Sequence, residues 1–100
     1  MNAGDISEQQ ARILRFIIAR LIEEHRIPSV REIGNEVGLR SKNSVFEQLE
    51  KLERNGYLEK LPLASRGLKV LRWPDGSAFG LIATRNAVAT TFSASFRVGG

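Results

Sequence analysis

Ser29-Val30-Arg31-Glu32-Ile33-Gly34-Asn35-Glu36-Val37-Gly38-Leu39-Arg40-Ser41-Lys42-Asn43-Ser44-Val45 is the stretch on which the fold turns. Ser29 and Glu32 have capping-box spacing: the hydroxyl accepts from the N–H three residues on, and the carboxylate accepts from the N–H of the serine. Ile33 and Val37 follow one turn apart on one face. Gly38 stands where a helix needs a left-handed residue to stop, a conformation that glycine adopts without steric cost. The helix so defined is about two turns long, too short to persist without packing on its neighbours. Ser41 is the next N-cap, and Val45, Leu49 and Leu52 form the inward face of a helix running to Asn55-Gly56. Two amphipathic helices joined by a tight turn that begins with glycine match the helix-turn-helix arrangement.

Towards the N-terminus, Ser7 and Gln10 form a second capping-box pair. After them Ile13, Leu14, Ile17, Ile18, Leu21 and Ile22 recur at helical spacing. So broad an apolar stripe implies burial against more than one neighbour. Ile27-Pro28 is expected to end this helix, because proline lacks an N–H and its predecessor avoids helical angles. Towards the C-terminus, Tyr57-Leu58-Glu59-Lys60-Leu61 reads as a strand, Pro62 to Gly67 as a loop, and Leu68-Lys69-Val70-Leu71 as a returning strand with Leu68 and Val70 on one face. The order predicts an α+β fold: a winged helix-turn-helix over residues 1–72, three helices followed by a β-hairpin wing.

Residues 73–100 read as a tail of a different kind. Trp73-Pro74-Asp75-Gly76 has turn chemistry. Beyond it Val88, Thr90, Phe92, Ala94, Phe96 and Val98 alternate with smaller or polar residues in a strand-like period of two. An extra β segment added to the wing sheet, a dimer contact and a loose, aggregation-prone end are all compatible with this pattern.

Composition narrows the function classes. The 100 residues include no cysteine and one histidine, which excludes disulfides, thiolate metal sites and histidine clusters. No cofactor is expected. The N-terminus has no secretory pattern, and no run approaches the ~20 apolar residues of a membrane span. The chain is therefore expected to be soluble and cytoplasmic. A net charge of +4 favours a polyanionic partner only weakly. Nothing resembles a nucleophile with its base or a phosphate-cradling glycine loop, so no enzyme is expected.

The chemistry of the third helix is more specific. With Val45, Leu49 and Leu52 inward, helical geometry turns Asn43, Ser44, Glu47, Lys51 and Arg54 broadly outward and puts Phe46 on the flank of the apolar face. Asn43, Ser44 and Glu47 lie in the first two turns, the part of a recognition helix that reaches base edges. Asparagine pairs with adenine, glutamate accepts from the cytosine amine, and serine serves several bases. Arg40, Lys42, Arg66 and Lys69 are the phosphate candidates, Arg66 at the wing tip. Each also has a plainer reading. Ser41 is an N-cap, Asn43 and Ser44 are ordinary first-turn polar residues, Glu47 pairs with Lys51, Phe46 is a core-edge residue, and Arg66 is a solvated loop arginine. Arg12, Arg15 and Arg20 read as solvent-facing.

At Gly38-Leu39-Arg40-Ser41-Lys42-Asn43-Ser44-Val45, and again at Ala64-Ser65-Arg66-Gly67-Leu68-Lys69-Val70-Leu71, the chain closely resembles the LexA family, bacterial repressors of the SOS response to DNA damage. The likeness extends through Ser7-Glu8-Gln9-Gln10, Pro28-Ser29-Val30-Arg31-Glu32-Ile33 and Asn55-Gly56-Tyr57-Leu58, covering roughly residues 5 to 72. It implies that the third helix enters the major groove of an inverted-repeat operator in double-stranded DNA, with base-reading roles for Ser41, Asn43, Ser44 and Glu47. A family member similar around the wing carries an acidic residue at the position of Phe46. Phenylalanine cannot accept from a cytosine amine but packs against a thymine methyl. The departure bears on the operator sequence rather than on DNA binding. The family also carries a self-cleaving peptidase domain with a serine nucleophile, a lysine base and an Ala-Gly scissile bond. Here the one Ala-Gly pair is Ala3-Gly4 and no lysine follows Lys69, so no peptidase is expected in this chain. Because the family dimerises through that domain, a monomer or weak homodimer is expected. The competing reading is a winged-helix protein–protein module without sequence-specific DNA binding.

Overall fold

A computed structural model describes residues 6–60, 67–83 and 88–90. The elements run α1 (Glu8–Glu24), α2 (Val30–Val37), α3 (Lys42–Arg54), β1 (Leu58–Lys60), β2 (Leu68–Arg72), β3 (Ala78–Ala83) and β4 (Val88–Thr90). The strands form one antiparallel sheet in the order β1-β2-β3-β4. The expected α+β winged helix, three helices followed by a β-hairpin, is the observed architecture.

α1 begins as its residues dictate. Ser7 Oγ accepts from the Gln10 N–H at 3.1 Å, and Gln10 Oε1 accepts from the Ser7 N–H at 3.0 Å. Its end differs from expectation. The helix stops at Glu24, ahead of Ile27-Pro28, because His25 turns into the left-handed region (φ 55°) while its N–H still donates to the Leu21 carbonyl. The early turn swings Ile27 and Pro28 back onto the molecule, where Ile27 packs against the core and Pro28 is buried. Ile22, expected in the stripe, is 50% exposed. It lies about 100° of helical rotation from the mean direction of the five buried residues.

Those five, Ile13, Leu14, Ile17, Ile18 and Leu21, are almost wholly buried and supply the largest single share of the core. Ile33 of α2 and Val45 and Leu52 of α3 close on them from one side, and Tyr57, Leu58, Val70, Leu81 and Ala83 meet them at the sheet. α1 thus touches both layers, as the width of its stripe requires.

β1 starts one residue later than expected, with Tyr57 buried ahead of it; Leu61 and most of the wing loop lie outside the described residues. The hairpin register pairs Leu58 with Val70, Glu59 with Lys69 and Lys60 with Leu68. Val70 is buried and Leu68 packs on the core, so the expected inward face holds. The core continues past Arg72. The turn at Trp73-Pro74-Asp75-Gly76 closes with Trp73 N–H donating to the Ser77 carbonyl, and β3 returns beside β2 to deliver Leu81 and Ala83. The boundary expected after residue 72 therefore falls inside a hairpin. Of the three readings of the tail, added strands describe 78–83 and 88–90; residues 91–98 lie outside the described residues. Among the described residues no helix is long and apolar enough to cross a membrane.

α2 is joined to α1 by a compact polar link. The Arg26 guanidinium donates two bonds of 2.8 Å to the Glu32 carboxylate, which also accepts from the Ser29 N–H as the capping box requires. Arg26 and the Ser29 N–H together hold the Glu32 carboxyl at a pKa of about 2. Midway along α2, Gly34 packs so tightly under the turn into α3 that a Cβ there would lie 2.6 Å from the Leu39 carbonyl oxygen. Leu39 N–H donates to the Gly34 carbonyl at 2.8 Å across the same contact.

Three outcomes are expected. Gly34→Ala forces backbone apart and lowers unfolding free energy in urea by about 1–3 kcal/mol. Gly38→Ala, in open space but at φ 77°, costs about 1–2 kcal/mol through its backbone alone. Because the folded Glu32 pKa lies below the ordinary value of 4.5, its contribution is complete above that value and disappears as pH falls from there to about 2. Arg26→Ala should therefore flatten the dependence of melting temperature on pH across that window. The difference should shrink in high salt, since the pair is exposed.

Candidate nucleic-acid interface

The turn after Gly38 presents the N-terminus of α3 to solvent. Ser41 Oγ accepts from the Asn43 N–H at 3.1 Å, so its hydroxyl is the helix cap that its position suggested. There is no acidic residue in the first turn of α3, and Lys51 and Arg54 stand in its last turn. The positive end of the helix dipole is thus left unneutralised where Arg40 and Lys42 add formal charge, a setting that favours an anion.

Arg40, Ser41, Lys42, Asn43, Phe46 and Glu47 are all exposed, and Ser44 is half-buried. Asn43, Phe46 and Glu47, three and four residues apart, are neighbours on one helix face. The core-edge reading of Phe46 is not what the structure shows. Its side chain is 45% exposed and lies outside the hydrophobic core. Nor does Glu47 pair with Lys51: among the described residues neither makes an ion pair. Both are left with free charged heads on the outward side of α3.

An open cleft of about 630 Å³ separates α2 from the start of α3, with Gly34 and Val45 at its base. Arg40, Ser41 and Lys42 line it, and so do Arg31 and Asn35. The last two were missed in the sequence, although their signal is there. They lie four residues apart on α2, on the side opposite Ile33 and Val37, and so share an exposed face.

The wing residues are less uniform. Arg66 lies outside the described residues. Lys69 is cross-strand from Glu59 on the outer face of the hairpin, its Nζ 4.0 Å from Glu59 Oε1, and both are partly exposed. A pair this long and solvated restrains a lysine only weakly.

What holds the exposed helix in place is also partly invisible to local pattern. Gln10 Nε2 donates to Gln48 Oε1 at 2.8 Å, so the glutamine that caps α1 also ties α1 to the inner flank of α3. Arg12 of α1 is not merely solvent-facing. Its guanidinium donates to the Glu36 carbonyl near the C-terminus of α2, where carbonyls lack helical partners. Arg20 is half-buried over the Phe16 ring and pairs with Glu23 and Glu24, while Arg15 is exposed as expected.

The sequence that builds this face is similar to known proteins. The family model described as the LexA DNA binding domain matches residues 3–67, which take in all three helices and β1. The LexA repressor of Clostridioides difficile (strain 630) is 45% identical over 67 residues, covering 67% of this chain and 32% of the relative. That of Corynebacterium diphtheriae is 43% identical over 72 residues, covering 72% and 30%. That of Clavibacter sepedonicus is 47% identical over 66 residues, covering 66% and 29%. The chain spans about 30% of the length of these curated relatives. With the helix-turn-helix, the wing hairpin and the family match in agreement, the chain belongs to the LexA DNA-binding domain family.

Proposed function

We propose that this chain reads an inverted-repeat operator in double-stranded DNA as the DNA-binding part of a transcriptional repressor of the SOS type. The observation that carries the reading is the exposed face of α3, where Asn43, Phe46 and Glu47 stand together with Arg40 and Lys42 at the helix start. In this reading α3 lies in the major groove, with Asn43 on an adenine, Glu47 on a cytosine amine and Ser44 on an adjacent base edge. Ser41 adds a contact from the cap. Arg40 and Lys42 neutralise phosphates beside the groove. Lys69, on the outer face of the hairpin, and Arg66, which the sequence puts between the two wing strands, neutralise phosphates of the sugar–phosphate edge. An inverted repeat calls for two copies related by a two-fold axis, each on one half-site. Either copy alone binds weakly.

The deciding experiment selects preferred duplexes from a random pool and compares them with scrambled controls by fluorescence anisotropy at physiological salt. The selected duplex is expected to carry an inverted repeat and to bind well above the scrambled one; equal affinity would refute the reading. Asn43→Ala should weaken the selected duplex by about 5- to 150-fold, the worth of one bidentate base contact, and leave scrambled DNA nearly unchanged. Arg40→Ala should weaken both alike and reduce the slope of log affinity against log salt by about 1.

A further inference from the structure

We infer that Phe46 reads the 5-methyl group of a thymine in the major groove, an inference that rests on the DNA-reading face proposed above. Three large hydrophobic side chains are exposed among the described residues: Ile22, Phe46 and Trp73. Trp73 stacks on Phe79 with ring centroids 4.1 Å apart, and Ile22 lies on α1. Phe46 alone stands on α3, and among the described residues its ring has neither an aromatic nor a cationic partner. It sits one turn beyond Asn43 and next to Glu47, inside the two turns of a recognition helix that approach bases. Long side chains on a helix lean towards its N-terminus, so the ring tilts towards Asn43 and the helix end that enters the groove.

The groove offers a phenyl ring little choice. Base edges there present hydrogen-bond donors and acceptors, which a phenyl ring cannot satisfy, and one apolar group, the thymine C5-methyl. The minor groove presents no such group. Seating Phe46 against any other base leaves a polar edge desolvated without a partner, so the ring rejects cytosine, adenine and guanine as it accepts thymine. Side chains three residues apart on a helix are about 5–6 Å apart at Cβ, against a base-pair rise of about 3.4 Å. The thymine therefore lies within two base pairs of the base read by Asn43.

The test uses the full chain and a duplex recovered from the random pool, with each thymine replaced in turn by deoxyuridine. The replacement removes only the methyl group and keeps base pairing. One thymine per half-site should emerge where deoxyuridine weakens the wild-type chain about fourfold, the worth of one buried methyl. There 5-bromodeoxyuridine, whose bromine fills the same space, should restore binding. Phe46→Ala should bind thymine and deoxyuridine equally at that position, with an unchanged melting temperature because the ring is outside the core. A wild-type scan flat within twofold at every thymine overturns the inference while selectivity for the recovered duplex keeps the DNA reading intact. So does a Phe46→Ala variant that still loses fourfold at the same position. Equal binding to recovered and scrambled duplexes removes both. The wild-type scan needs no variant, so it decides the question whatever the stability of Phe46→Ala.

Discussion

The contact between Gly34 and the Leu39 carbonyl sets the geometry on which the rest depends. A Cβ at Gly34 would lie 2.6 Å from that oxygen, and the Leu39 N–H closes the same contact with a 2.8 Å bond back to the Gly34 carbonyl. Backbone meets backbone there, so neither side relieves a clash by changing rotamer. The turn that follows Gly38 therefore leaves α2 in one direction, and α3 starts with its polar end projecting from the molecule. Were α2 and α3 even slightly further apart, Val45 would lose its seat and the reading face would lose its fixed aim.

α1 is the scaffold against which that pair is held. Its apolar stripe supplies the largest single share of the core, and three polar contacts align the neighbours that the stripe alone would leave free to slide. Gln10 reaches Gln48 of α3, Arg12 reaches the Glu36 carbonyl of α2, and Arg26, just past α1, clamps Glu32 at the start of α2. Two of them use a side chain already engaged at a helix start, Gln10 at α1 and Glu32 at α2, so one group both begins an element and orients its neighbour. The apolar terms are large and non-directional. The hydrogen bonds are individually worth about 1 kcal/mol but directional, and so decide orientation.

The sheet continues the same logic. Val70, Leu81 and Ala83 are buried in the core cluster on one face of the sheet, which leaves Glu59 of β1 and Lys69 of β2 on the other. The outer face of the wing hairpin is thus determined by the alternation of its strands. The third strand makes the hairpin part of a broader sheet rather than a free two-stranded ribbon, which is at best marginal in water.

Much of this was legible along the chain. Ser7 with Gln10 and Ser29 with Glu32 announce helix starts, because capping is a local contact three residues long. Gly38 announces a stop because its backbone angle is a property of one residue. Val45, Leu49 and Leu52 mark the inward face of α3, and by subtraction Asn43 and Glu47 mark the outward one. What required the folded molecule were relations between segments distant in sequence: the bond from Gln10 to Gln48, the cleft that brings Arg31 and Asn35 beside Arg40 and Lys42, the return of β3 beside β2 into the core, and the exposure of Phe46. The pattern put Phe46 on the flank of the apolar face, where burial depends on whether a neighbouring element arrives to cover it. None of the described elements does. Local conformation follows from local bonds, but burial is a property of the whole assembly of segments, and only their packing decides which flank residues stay in water.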